Sequence, residues 1–215
     1  MFWLSEAQWA RIEPHLPTDV RGVARVDNRR VTSGIIHVLK SGCRWCDCPE
    51  AYGPATTIYN RFARWAKRGV WENLFRALAG AGCSRGGRNT KIHALGDARG
   101  RLIAILLTGG QAHDCPPAKR LICRTKPSKR LLGDTAYDSA GLRLWLKGRG
   151  TRAVILNHSR KQPFSFNKRL YKERRRVENA FNRLKDFRRL ATRYDRLARN
   201  YLASVCLVAA LVWWT

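Results

Sequence analysis

Acidic residues are scarce in this sequence: 15 Asp and Glu stand against 42 Lys and Arg in 215 residues, a formal charge of +27. An imbalance that large is a statement about partners rather than fold. Nucleic acid is the first candidate, because neutralising phosphates releases counterions and gives sequence-independent affinity. Long apolar runs are lacking too. The most apolar segment, "NYLASVCLVAALVWWT", is about fifteen residues long, short of the ~20 that a membrane span needs. It reads as a buried C-terminal helix, and no membrane partner is expected. The opening "MFWLSEAQWARIEPHLP" has no basic n-region or cleavable apolar stretch, so it does not read as a signal peptide. "CRWCDCP" gives Cys43, Cys46 and Cys48 a CxxC spacing, but no second CxxC or HxxxH pair exists to complete a zinc site. Free thiols in a reducing cytoplasm are the expectation. "AGAGCSRGGRN" lacks the GK[ST] ending of a phosphate loop and reads as a linker. No internal repeat is evident.

What is present argues for a folded protein. Hydrophobic residues make up 45%, with eight Trp, which a disordered basic tail would not carry. Ribosomal and chromatin-like proteins share the charge but rarely so much Trp and Leu. The length suits one or two domains with a real core.

Helical patterns dominate the first eighty residues. Ser5 followed by Gln8 is a capping box, and Leu4, Trp9, Ile12 and Leu16 form an apolar face. "DNRRVTSGIIHVLKSG" lines up Val31, Ile35, Val38 and Leu39, with Gly42 as the stop. "TTIYNRFARWAKRG" buries Ile58, Phe62, Trp65 and Ala66 and leaves Arg61, Arg64, Lys67 and Arg68 on the other side. Two short helices joined by a Gly/Pro-rich turn, the second basic, resemble a helix-turn-helix reader; a small bundle with a solvated basic face fits equally.

After the linker the period changes. "TKIHAL" and "RLIAILLTGG" read as strands joined by the turn "GDARG". "RLLGD" and "RAVIL" read as two more, separated by the amphipathic helix "AGLRLWLKGRG". This alternation predicts an α/β layer with at least partly parallel strands. Helices at about 169–190 and 196–214 complete the pattern.

Two acids stand out. Between Lys168 and Arg199, four acids sit among thirteen Lys and Arg. At about 100° per residue, Tyr171, Arg174, Glu178 and Lys185 share one narrow helical stripe beside the apolar Val177, Phe181 and Leu184. Lys172, Arg175, Arg176 and Arg183 lie outside it. Glu178 therefore borders core and cationic surface, where it either pairs with Arg174 or Arg175 or faces a cleft. Asp134 follows an apolar strand in "RLLGDTAYD", where α/β folds place working groups or simply turn. Carboxylates from a strand end and a later helix can hold Mg²⁺ in a basic groove for phosphodiester cleavage.

At these residues the sequence resembles a known family. "YKERRRVENAFNRLK" is similar to the Y-(2)-R-(3)-E-(6)-K signature of bacterial insertion-sequence transposases of the DDE class, as Tyr171, Arg174, Glu178 and Lys185. "GDTAYDS" resembles their second-Asp motif, giving Asp134. "SRGGRNTKIHALGDARGRLIAILLTGGQAHD" resembles their SRGG–TKIH hairpin and GQxxD, and "SGCRWCDCPEAYGPATTIYNRFARWAKRGVWENLF" their N-terminal DNA-binding region. The likeness covers nearly the whole chain and is greatest to the insertion-sequence-five group.

The resemblance implies a helical DNA-binding domain over 1–80, a linker at 81–89 and a ribonuclease-H-like core over 90–215. It implies Mg²⁺- or Mn²⁺-dependent cleavage of double-stranded DNA at terminal inverted repeats, then strand transfer into target DNA, by a homo-oligomer on the bacterial nucleoid. Asp134 and Glu178 would be metal ligands, Arg174 and Lys185 would position phosphates, and Tyr171 would support Glu178 or stack near the DNA end. Arg61, Arg64, Lys67, Arg68, Arg175, Arg176 and Arg183 would meet DNA. The family's first Asp has no counterpart: between Glu72 and Asp134 the only acids are Asp97, in a hairpin turn, and Asp114, in the GQxxD motif. An in-frame deletion between Gly82 and Cys83, removing the first core strand, is the simplest account. A non-catalytic DNA-binding inhibitor of intact transposase, or a basic nuclease using Asp114 as third ligand, are the alternatives.

Overall fold

The computed structural model describes residues 1–18, 26–80, 83–84, 90–156 and 167–215. The first helix, α1 (Glu6–Ile12), carries the expected reciprocal capping box of Ser5 and Gln8. Helix α2 (Asn28–Ser41) starts on an Asp27 side-chain cap and stops at left-handed Gly42. Helices α3 (Ala55–Arg68) and α4 (Val70–Ala79) follow. A Cβ on Gly34 would meet Tyr52 Cβ at 2.7 Å, so the absence of a side chain there lets the fully buried Tyr52 pack against α2. The connection between α2 and α3 spans residues 42–54 and contains two 3₁₀ turns, Trp45–Asp47 and Glu50–Tyr52. That is longer than the three- or four-residue turn of a helix-turn-helix. The two helices are joined by an ordered connector rather than by such a turn, which is closer to the small bundle than to the helix-turn-helix of the two readings.

Among the described residues five strands form two separate sheets. β2 (Thr90–Gly96) and β3 (Leu102–Gly109) are the expected hairpin, antiparallel with Thr90 opposite Gly109. The short β1 (Cys83–Ser84) adds in parallel to the other edge of β3; the rest of the SRGG segment lies outside the described residues. The second sheet pairs β4 (Arg130–Gly133) in parallel with β5 (Arg152–Ile155), through α6 (Ala140–Gly148). The mixed α/β class and the parallel pair agree with the sequence reading. Helix α5 (Cys115–Ile122) went unanticipated, although Asp114 at its N-cap and prolines in its first turn are its signal.

The basic segment expected to be one helix over 169–190 is broken. α7 (Lys168–Tyr171) tightens into a 3₁₀ turn, Lys172–Arg174, before α8 (Arg175–Lys185) and the short α9 (Arg188–Ala191). The break carries the segment across both sheets. Val177 and Arg176 close on the hairpin at Gly96 and Gly100, and Arg174 reaches the end of β4.

The C-terminal helix α10 (Ala198–Trp214) is buried from Asn200 to Leu211. Being apolar all round, it needs cover on every side. It shares one core with α3, α4, α8 and β3. No helix among the described residues is long and apolar enough to cross a membrane.

Candidate active site

Asp134 follows β4 directly and starts the 3₁₀ turn Thr135–Tyr137; its Oδ1 accepts from the Thr135 N–H at 2.7 Å and from the Thr135 hydroxyl at 3.3 Å. Oδ2 is thereby turned toward Arg174, whose Nη1 lies 3.5 Å away. The other terminal nitrogen of that guanidinium, Nη2, lies 2.8 Å from Oε1 of Glu178, one helical turn further on. One cation thus joins two carboxylates that are far apart in sequence. Arg174 also sits 5.5 Å from the Tyr171 ring centroid. The side chains of Asp134 and Glu178 are about half exposed, at 53% and 54%, against 28% for Arg174. The acids therefore open onto solvent, with the guanidinium tucked between them.

Of the expected set, Asp134, Glu178, Arg174 and Tyr171 come together. Lys185 is exposed at the far end of α8, two turns from Glu178. Arg64, Lys67 and Arg68 are exposed on α3, and Arg175 and Arg183 on α8. Arg176 is half exposed and engaged by Glu173 at 2.5 Å and by the Ala98 carbonyl. Arg61 is a correction: it is 6% exposed, hydrogen-bonded to Asn28 and 5.2 Å from the Trp65 ring, not on the outer face of its helix. Helical period placed it opposite the core, but α2 packs against that flank and covers it.

Neither remaining acid joins the pair. Asp97 closes the β2–β3 turn, accepting from the N–H groups of Arg99 and Arg101 and from the Arg101 guanidinium. Burial opposes its ionisation, but those hydrogen bonds outweigh it and hold its carboxyl below the usual range. Asp114 is paired with Lys91 at 3.4 Å. Among the described residues no three Asp, Glu, His or Cys side chains gather closely enough to hold an ion.

A buried network beside the site escaped the sequence reading. His93 on β2, 2% exposed, is hydrogen-bonded through Nδ1 to the Tyr137 hydroxyl at 2.9 Å and through Nε2 to the Thr108 hydroxyl at 2.8 Å. It ties the hairpin to the turn that begins at Asp134. Burial, with the charges of Asp114 and Asp134 adding to it, pushes the Tyr137 phenol up to about 12. Burial also lowers His93, helped by Lys91 and opposed by Asp114. Both groups are neutral near pH 7, as a satisfied buried network requires. Tyr137→Phe strands a buried ring nitrogen and is expected to cost about 1–3 kcal/mol, seen as a lower denaturant midpoint at unchanged slope.

Two family models match. "Transposase DDE domain" matches residues 55–213, and "Putative transposase of IS4/5 family" matches residues 4–75. The "Putative transposase for insertion sequence element IS6501" of Brucella ovis is 35% identical over 126 residues, 58% of this chain and 97% of that protein. The "Insertion element IS402 uncharacterized 16.2 kDa protein" of Burkholderia cepacia is 35% identical over 83 residues, 35% of this chain and 56% of that protein. The "Uncharacterized protein y4sN" of Sinorhizobium fredii is 32% identical over 78 residues, with 62% of its length covered. No solved structure matches the chain.

Proposed function

We propose, on the premise that this chain belongs to the DDE-domain transposases of insertion sequences, that it binds the double-stranded ends of its element through its basic surface and presents to them a reduced form of the family's catalytic site. The observation that carries the reading is the meeting of Asp134 and Glu178 on the Arg174 guanidinium. Two half-exposed carboxylates already closed on a cation fit a hard ion such as Mg²⁺ or Mn²⁺, which takes one or two carboxylates and leaves its other positions to water and phosphate. They do not make the three-acid set that a pair of ions calls for. When bound, such an ion would activate the attacking oxygen and stabilise the leaving one.

The chain's own residues supply the rest. Asp134 and Glu178 would hold the ion, and Thr135 fixes the Asp134 rotamer through two hydrogen bonds. Arg174 grips the phosphate beside the reacting bond with a two-nitrogen fork. Arg64, Lys67, Arg68, Arg175 and Arg183 neutralise backbone charge along the duplex, with Lys185 adding a phosphate contact. Several copies assemble on DNA, where both element ends must be held together.

A second reading, non-catalytic occupation of element ends that blocks intact transposase, draws support, among the described residues, from the lack of a third acid and from the division of five strands into two sheets. In the resembled fold the first strand is central, and the deletion inferred from the sequence would remove it.

Fluorescence anisotropy on an element-end duplex tests the DNA-binding part. Affinity is expected to fall about 10³-fold or more between about 50 and 200 mM salt. Arg64→Ala and Lys67→Ala should each flatten the salt slope by about one. Salt-insensitive or absent binding would remove the proposal. Metal-dependent nicking lost in Asp134→Ala excludes the purely binding reading.

A further inference from the structure

We infer that Arg174 is a built-in counter-cation for the Asp134–Glu178 pair, one that must leave before a divalent ion loads and that DNA phosphate draws away. The inference rests on the proposed reading of that pair as the metal-holding acids. Three features support it. First, Arg174 uses different nitrogens for the two acids, 3.5 Å to Asp134 Oδ2 and 2.8 Å to Glu178 Oε1, so its charge lies between them and occupies oxygens that an ion would need. A guanidinium and a divalent ion on the same oxygens repel each other, so their occupancies compete.

Second, the hold is light. The Arg174–Glu178 contact is a helical ion pair spaced i,i+4 with a half-exposed acid, a class of interaction that water and salt weaken. Asp134 keeps its orientation without Arg174, since Thr135 holds the other carboxylate oxygen. Nothing in the pair collapses when the guanidinium swings out.

Third, a better partner for Arg174 arrives with the substrate. A phosphate diester offers two oxygens in the geometry a guanidinium fork prefers. Arg175, exposed and next to it in the chain, adds positive charge that attracts phosphate to the neighbourhood. Moving Arg174 from carboxylates to phosphate uncovers two negative charges, which then favour the divalent ion. The two equilibria are linked, so DNA tightens metal and metal tightens DNA by the same factor. The consequence is a site that stays metal-poor until DNA is seated.

The test measures Mn²⁺ binding to the full chain by electron paramagnetic resonance, with and without a short DNA duplex. The chain carrying both Asp134→Asn and Glu178→Gln supplies the baseline for ions held by the duplex. Without DNA, Arg174→Gln is expected to bind Mn²⁺ roughly ten-fold more tightly than the unaltered chain, a typical size for coupling between sites. The duplex should tighten Mn²⁺ binding of the unaltered chain by a similar factor and change Arg174→Gln little. Arg174→Lys, which keeps the charge, should stay close to the unaltered chain. If Arg174→Gln binds Mn²⁺ no more tightly while the doubly substituted chain loses it, the counter-cation role is wrong and the metal site stands. If the doubly substituted chain binds as well as the unaltered one, the reading of the acids fails, and this inference with it. Should Arg174→Gln not fold, an unaltered chain whose Mn²⁺ affinity ignores the duplex is sufficient to overturn it.

Discussion

On DNA carrying the element ends, with Mg²⁺ or Mn²⁺ present, this chain is expected to cleave about 10⁴-fold or more slowly than a relative with a complete set of acids, while binding the same ends with comparable affinity. Catalytic groups that act as a unit lose most of their effect when one member is missing. In the proposed site the unit would hold two carboxylates, and no third acid joins them among the described residues. Arg64, Lys67, Arg68, Arg175 and Arg183 are exposed, and on the proposed reading affinity for duplex would come mainly from such side chains. Binding and cutting should therefore separate. Gel-based nicking beside anisotropy on the same duplex measures both. Inserting a strand that carries an Asp between Gly82 and Cys83 should restore cleavage, and Asp134→Asn should abolish whatever cleavage exists. Cleavage at the rate of an intact relative would mean that two acids suffice and would dismiss the reduced-site account.

The largest expected effect on stability lies away from the site. Arg189 and Asp195 form a buried ion pair, 9% and 6% exposed, with Arg189 Nη2 3.3 Å from Asp195 Oδ1. The Ser204 hydroxyl on α10 donates to Asp195 Oδ2 at 3.1 Å, and Arg189 Nη1 donates to the Cys43 carbonyl at 3.2 Å. The Arg189 guanidinium also lies 4.9 Å from the Trp45 ring. This network ties α9 and α10 to the connector between α2 and α3. Asp195→Ala leaves a buried cation without its counter-charge, which typically costs about 3–5 kcal/mol. For a chain of this size, that is a melting temperature lower by about 6–20 °C. Asp195→Asn, which keeps the shape and one acceptor, should lose less. A change below about 1 kcal/mol for Asp195→Ala would show that the pair contributes specificity rather than stability.

Individual elements were readable because their signals are local. The Ser5–Gln8 box, the Gly42 stop, the TKIHAL–RLIAILL hairpin and the apolar C-terminal helix each depend on residues within a few positions of one another. Asp134 and Glu178 were readable as candidates chiefly through the family resemblance, since a strand-end acid and an acid in a cationic helix also fit a turn and a helix ion pair. Helix α5 was missed because two prolines obscure a start that they in fact favour. The continuous helix expected near Glu178 was wrong at the 3₁₀ turn Lys172–Arg174, where the chain passes from one sheet to the other.

The sequence by itself determined the charge, most of the secondary elements, the family signature and the shortage of acids. Tertiary structure alone decided that one guanidinium joins Asp134 to Glu178, that Arg61 is covered, that His93 meets Tyr137, and that Asp195 serves Arg189 and Ser204. The physical reason is range. Periodicity and capping act over one or two turns of backbone, whereas burial and charge pairing depend on which distant surface comes to cover a side chain.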